Sequence, residues 1–247
     1  MSANTFSKVY IIGAGPGDPE LLTLKAHRLI TQAEVILHDD LVGAPILGMA
    51  PPGTIMINVG KRYGDGKDQK QRQKEIVDEI IRYLGMSKRV IRLKGGDPLI
   101  FGRGVEEALA LQKRGVEFEL VPGITAGIAA GNTARIPLTE RMCSEGLMLV
   151  TGSTANDREA HYKSISDWLM IGNTVLLYMG FKRFTIIRER LYEFGLSSEI
   201  AACAVSKASL PDQLAAYGTI GNIENVAAKM GIELPVLLLL GKYIRQV

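Results

Sequence analysis

Short apolar runs separated by amphipathic stretches set the pattern of the first half of the chain. The runs at 9–12, 35–37, 55–59, 90–93 and 118–121 are rich in Val, Ile and Leu, as strands buried on both faces must be. Between them apolar residues recur at helical spacing over 21–33, 71–84 and 105–113, with a shorter piece at 45–49. Strands and helices taking turns predict a parallel sheet covered by helices on both faces, with its loops gathered along the sheet edges. Pro122-Gly123 punctuates the fifth run and marks a boundary. Beyond it come a small-residue helix at 125–132, strands at 147–151, 174–178, 201–205, 213–217 and 236–240, and helices at 184–194 and 223–229. The polar stretch 153–163 reads as a loop. The expected fold class is α/β in two domains, 1–122 with a parallel sheet and 123–247 with a mixed one. Their natural arrangement puts the active site in a cleft between them.

Composition narrows the setting more than the chemistry. A chain of 247 residues can bury a core in each of two domains, and 47% hydrophobic with 22% charged residues is ordinary for a globular protein. The balance of 29 basic to 26 acidic residues, +3 overall, gives no reason to expect nucleic acid. It allows an acidic small molecule wherever basic groups converge. Cys143 and Cys203 form no metal-ligand spacing with the three histidines, so no metal is expected. Isolated cysteines and a polar N-terminus without a signal-peptide core point to the cytoplasm. The apolar run 236–240 is too short for a bilayer, which needs roughly 20 residues, so no membrane partner is expected.

Two glycine-rich turns carry the candidate chemistry. Gly13-Ala14-Gly15-Pro16-Gly17-Asp18-Pro19 follows the first strand, and Asp39 lies near the spacing of a ribose-binding acid. A dinucleotide fingerprint would need glycine where Asp18 sits, and Pro16 and Pro19 remove N–H donors from the turn. A phosphate-binding P-loop ending at Gly60-Lys61 fails because Ile55 stands where its first glycine belongs. The second turn lies within 90–107, where an apolar strand runs into Gly95-Gly96-Asp97-Pro98 and then Phe101-Gly102-Arg103-Gly104. Paired glycines at the carboxyl end of a parallel strand let backbone approach a ligand closely.

The wording Arg-Leu-Lys-Gly-Gly-Asp-Pro-x-x-Phe-Gly-Arg-Gly-x-Glu-Glu over 92–107 resembles a signature of the uroporphyrinogen-III C-methyltransferases. The opening turn through Ala26 resembles the motif shared by all tetrapyrrole methylases, which use S-adenosylmethionine. By that resemblance Pro16, Gly95, Gly96, Asp97, Ile100, Thr125, Ala126, Met179 and Ala208 would hold the cofactor. Met179 lies in Tyr178-Met179-Gly180, as in the family, and by itself could equally be core filling. Asp39 stands at the family's proton-acceptor position and Lys61 at its proton-donor position. A lysine there could as well bind a substrate carboxylate, since an unperturbed lysine is a poor acid at neutral pH. Arg103 and Glu106 would face the substrate, and their bland alternative is an ion pair at a helix start.

The family wording breaks in places. The loop within 64–77 lacks a usual histidine, Glu140 and Ser153 replace others, and Ala208 stands for a glycine. These changes bear on the tetrapyrrole more than on the methyl donor. The resemblance implies two successive methylations of uroporphyrinogen III to precorrin-2 through precorrin-1, in siroheme, cobalamin or haem d1 synthesis. It also implies a homodimer, and no further catalytic domain is expected. The alternatives are a methyltransferase for a later precorrin and a non-catalytic tetrapyrrole- or S-adenosylmethionine-binding protein.

Overall fold

The computed structural model describes residues 8–60, 69–153 and 158–247. The chain divides into two compact units, Met1–Thr125 and Ala126–Val247. The first unit contains β1 (Lys8–Gly13), α1 (Leu24–Ile30), β2 (Val35–His38), α2 (Ala44–Leu47), β3 (Ile55–Asn58), α3 (Gln69–Gly85), β4 (Val90–Lys94), α4 (Gly104–Lys113) and β5 (Glu117–Val121). Its five strands are all parallel, in the order β3-β2-β4-β1-β5. Helical crossovers are required between parallel neighbours, and the amphipathic stretches supply them. Because β1 and β4 pair directly, the turns that leave them lie side by side at the carboxyl edge, where open sheets hold ligands.

Alternation along β4 distributes its side chains between two cores. Ile91 and Leu93 pack with Ala26, Ile30 and Ile46 from α1 and α2. Val90 packs on the other face with Ile76 and Ile80 of α3 and Ala108 and Leu111 of α4. By the same alternation Arg92 and Lys94 share the face of Val90, and both are buried.

The second unit contains α5 (Ala126–Thr133), β6 (Leu147–Thr151), α6 (Glu159–Met170), β7 (Thr174–Tyr178), α7 (Phe184–Glu193), β8 (Ala201–Ser206), β9 (Leu214–Thr219), α8 (Ile223–Lys229) and β10 (Val236–Leu240). Its sheet is mixed, in the order β6-β7-β10-β8-β9. β6 is parallel to β7, and β10 runs antiparallel to both β7 and β8. β6, β7 and β8 therefore point the same way, and the turns that leave them share one edge. Trp168 on α6 donates its indole N–H to the Thr174 carbonyl at 3.1 Å, and a Cβ on Gly146 would come within 2.4 Å of its ring. Cys203 on β8 is buried, and burial pushes its thiol up to about 12.

One element departs from the sequence reading. No helix was expected between the strands at 147–151 and 174–178, yet α6 fills Glu159–Met170 and takes in the end of the polar stretch read as a loop over 153–163. Its first turn is exposed and carries no apolar signal. The helix is held from Tyr162 onward, where Tyr162, Ile165, Ser166 and Leu169 are buried at helical spacing.

No described helix is long and apolar enough to cross a membrane. Glycine is obligatory where backbones touch and dispensable where space is open. A Cβ on Gly123 would lie 2.3 Å from the Gly96 carbonyl oxygen, whereas one on Gly85 meets nothing within 4 Å. We expect Gly123→Ala to lower stability by about 1–3 kcal/mol. Gly85→Ala, at the last residue of α3, should be neutral or stabilising by up to about 1 kcal/mol. Urea midpoints of the two variants check this, and equal midpoints would contradict it.

Candidate active site

Three turns meet backbone to backbone at the carboxyl edge of the first sheet. Ala14 N–H donates to the Lys94 carbonyl at 2.7 Å, Gly15 N–H to Gly96 at 3.1 Å, and Gly96 N–H to Gly15 at 2.7 Å. A Cβ on Gly13 would sit 2.6 Å from both the Gly96 oxygen and the Gly123 nitrogen, so these turns can close only around glycines. Asp97 fastens the third turn, accepting from Gly123 N–H through Oδ2 at 3.1 Å and from Leu99 N–H through Oδ1 at 2.8 Å. Four of the expected cofactor residues, Pro16, Gly95, Gly96 and Asp97, are thereby brought together. Asp97 keeps lone pairs for a ligand, because a carboxylate offers about four acceptor sites.

The segment after Asp97 is tightly wound. Phe101 (φ +53°) and Arg103 (φ +58°) both adopt the left-handed conformation, and Gly104 N–H donates to the Pro98 carbonyl at 2.9 Å. Strain of this kind costs about 1–3 kcal/mol per residue and gathers at functional loops. The turn leaves Ile100 exposed. It also sets Arg103 before the first turn of α4, where its Nε donates to Glu106 Oε2 at 2.5 Å. The helix-start ion pair is therefore real, but the side chains are 39% and 51% exposed. An exposed pair contributes about 0–1 kcal/mol, so either partner can turn to a ligand at little cost.

Asp39 follows β2 and carries the most elaborate surroundings. Its backbone N–H donates to Leu93, and Arg92 donates Nη2–H to its Oδ1. Lys94 Nζ lies 3.6 Å from its Oδ2. Behind these cations Glu107, on the first turn of α4, is completely buried. It accepts from Arg92 Nε at 3.1 and 3.2 Å, from Arg92 Nη2 at 3.1 Å and from Lys94 Nζ at 2.9 Å. Arg92 Nη1 donates to the carbonyls of Leu37 (3.4 Å) and Leu93 (3.0 Å), so every nitrogen of the guanidinium is bonded. Burial opposes the Arg92 charge, but Glu107 and Asp39 outweigh it and hold the guanidinium above its ordinary value.

This cluster was missed in the sequence, where 90–93 reads as a plain apolar strand. The available signal was two basic residues at i and i+2 on an otherwise apolar central strand, which demands buried counter-charges. At the neighbouring strand end, Asn58 donates to Asp40 at 2.7 Å and accepts from Gly60 N–H at 2.8 Å. Lys61, the expected proton donor, lies outside the described residues, as does the loop through 68.

The second unit assembles Ala126, Met179 and Ala208 at one edge of its own sheet. The Tyr178 hydroxyl accepts from Gly127 N–H at 2.8 Å, tying Ala126 at the start of α5 to the end of β7. Met179 has φ +53° and is 55% exposed, so it is not core filling. Thr125, the last residue of the first unit, is buried. Ala208 follows β8 on the same edge as Met179, but its methyl is packed among Ala130, Val205 and Leu237. Its side chain lines the core.

A cavity of about 300 Å³ lined by Lys8, Tyr10, Arg28 and Arg89 lies at the amino ends of β1 and β4. That is the edge opposite the glycine turns, and none of the residues above lines it. The glycine backbone, the carboxylates and the exposed Arg103 place the candidate site at the carboxyl edge instead.

The family model of the tetrapyrrole (corrin/porphyrin) methylases matches residues 8–224. An S-adenosyl-L-methionine-dependent uroporphyrinogen III methyltransferase of Methanosarcina barkeri is 40% identical over 244 residues, 98% of this chain and 93% of that protein. A siroheme synthase of Thiobacillus denitrificans is 38% identical, but this chain spans only 49% of its length. Among solved structures, a cobalt precorrin-4 methyltransferase of cobalamin biosynthesis superposes with a TM-score of 0.84 at 26% identity, covering 98% of this chain and 97% of that one. The uroporphyrin-III C-methyl transferase of Thermus thermophilus, complexed with S-adenyl homocysteine, gives 0.77 at 33%, covering 96% and 98%.

The two bonds of Asp97 lead to an expected outcome. Asp97→Ala leaves the N–H groups of Leu99 and Gly123 without their acceptor and should lower stability by about 1–3 kcal/mol. Asp97→Asn, which keeps one carbonyl acceptor, should lose less. A thermal unfolding midpoint unchanged in Asp97→Ala would show that the bonds do not hold the turns.

Proposed function

The chain belongs to the tetrapyrrole (corrin/porphyrin) methylases, and from that premise we propose that it is an S-adenosylmethionine-dependent C-methyltransferase converting uroporphyrinogen III to precorrin-2. The two methylations would proceed through precorrin-1, for siroheme, cobalamin or haem d1 synthesis. End-to-end likeness to the Methanosarcina uroporphyrinogen III methyltransferase is the observation that carries the choice of substrate. A second reading, a methyltransferase for a later precorrin, is favoured by the high TM-score to the cobalt precorrin-4 enzyme.

The residues suit the donor. S-adenosylmethionine supplies an electrophilic methyl on a sulfonium. The Gly95-Gly96 backbone would admit its amino-acid end closely, and Asp97 would accept from an amine or a ribose hydroxyl. Exposed Ile100 and Met179 offer apolar, polarisable surfaces for the part around sulfur. Thr125, Ala126, Pro16 and the Ala208 backbone complete the proposed set. The transfer itself needs alignment and exclusion of water more than acid chemistry. Arg103 would grip a substrate carboxylate as a fork, with Glu106 steering the guanidinium. Asp39 would face the pyrrole and take up its proton, and Lys61 would donate a proton or hold a second carboxylate. We propose a cytoplasmic homodimer, supported by the exposed apolar Leu99 and Phe101 before α4 and Val105 and Leu109 on it. Light scattering of the purified chain tests the dimer.

Incubation with uroporphyrinogen III and methyl-labelled donor should give a product heavier by two methyl groups. Methylation of a later precorrin instead would favour the second reading. No transfer with the donor still bound would leave only a binding protein. Arg103→Ala should reduce turnover by about 10²-fold while affinity for S-adenosylhomocysteine survives, as expected for loss of a positioning group. Unchanged turnover would remove Arg103 from the site.

A further inference from the structure

Glu107 is the one fully buried carboxylate among the described residues, and all of its partners are cations on β4. A trio of apolar side chains would fill the space between β4 and α4 at least as stably as buried ions do. The buried ions lead outward to one strand end, where the fourth member of their cluster, Asp39, reaches the surface with its side chain 30% exposed. The charges balance: two cations, Arg92 and Lys94, face two anions, Glu107 and Asp39.

We propose that Glu107 is a positioning residue that acts on Asp39 through Arg92 and Lys94. The inference rests on the methyltransferase reading, in which Asp39 faces the substrate. Glu107 occupies the inner side of both cations, drawing Arg92 Nε and Nη2 and Lys94 Nζ toward α4. Each cation is left with its outer side for Asp39, Arg92 bonding Oδ1 and Lys94 lying 3.6 Å from Oδ2. A carboxylate bonded at one oxygen, with a cation facing the other and its backbone N–H bonded to Leu93, is restrained against swinging. Its remaining lone pairs are turned outward at a fixed place. Without Glu107, unfilled donors and a net positive charge would draw Asp39 inward and away from the reacting ring.

A double-mutant cycle on the full-length chain separates this role from mere support of the fold. The variants are Glu107→Gln, Asp39→Asn and the pair, assayed for kcat and KM on uroporphyrinogen III, S-adenosylhomocysteine affinity and thermal unfolding. Glu107→Gln should lower kcat at least about tenfold, with S-adenosylhomocysteine affinity changed less than about twofold. In the Asp39→Asn background the same substitution should change kcat less than about twofold, because its route of action is already gone. If Glu107→Gln alone does not fold, Lys94→Met added to it restores charge balance, and the cycle with Asp39→Asn is run in that background. Equal losses of kcat in both backgrounds, or a loss confined to stability, would overturn the proposal. An inactive wild type would instead sink the functional reading, and the inference with it.

Discussion

Two positive charges buried on the central strand of a parallel sheet constrain everything around them. Arg92 and Lys94 lie between two neighbouring strands and beneath a helix, where an unpaired charge is costly. Their counter-charges must come from elements that also pack there, so the first turn of α4 and the end of β2 are both fixed by them. Removing one partner of such a cluster typically costs about 3–5 kcal/mol, because the rest is left uncompensated. The registers of β2 and β4, the approach of α4 and the placement of Asp39 are thus one problem with one solution.

Much of the architecture was legible because its physics is local. Strands buried on both faces must be apolar runs, and parallel neighbours need helical crossovers, so the alternation of β1 to β5 with helices could be read directly. The whole of α6 escaped for an equally local reason: Glu159, Ala160 and Lys163 at its start are exposed, and its buried set of Tyr162, Ile165, Ser166 and Leu169 is half polar in type. Periodicity reports which side is buried, and a helix whose buried side carries a serine and a tyrosine gives only a faint apolar stripe.

The site was legible in a different proportion. Gly13 and Gly123 stand out because only backbone fits where the turns meet, and Gly15 and Gly96 because both take a positive φ. The Arg103–Glu106 pair was foreseeable from spacing. The Arg92–Lys94–Glu107 core was not, because hydropathy averages over a strand and hides two charges among Val, Ile and Leu. Glu107 was hidden beside Glu106: two adjacent acids on one helix turn look alike in sequence, yet one lies in solvent and the other is fully buried.

The place of Trp168 has a spectroscopic consequence. It is the only tryptophan in the chain, and it lies wedged against Gly146 with its indole N–H on β7, wholly inside the second unit. Tryptophan emission therefore follows the packing of that unit, while the ion cluster and the glycine turns belong to a half that has no tryptophan. Fluorescence set beside far-ultraviolet dichroism, which sees both halves, would tell whether the two units lose their order together or in succession.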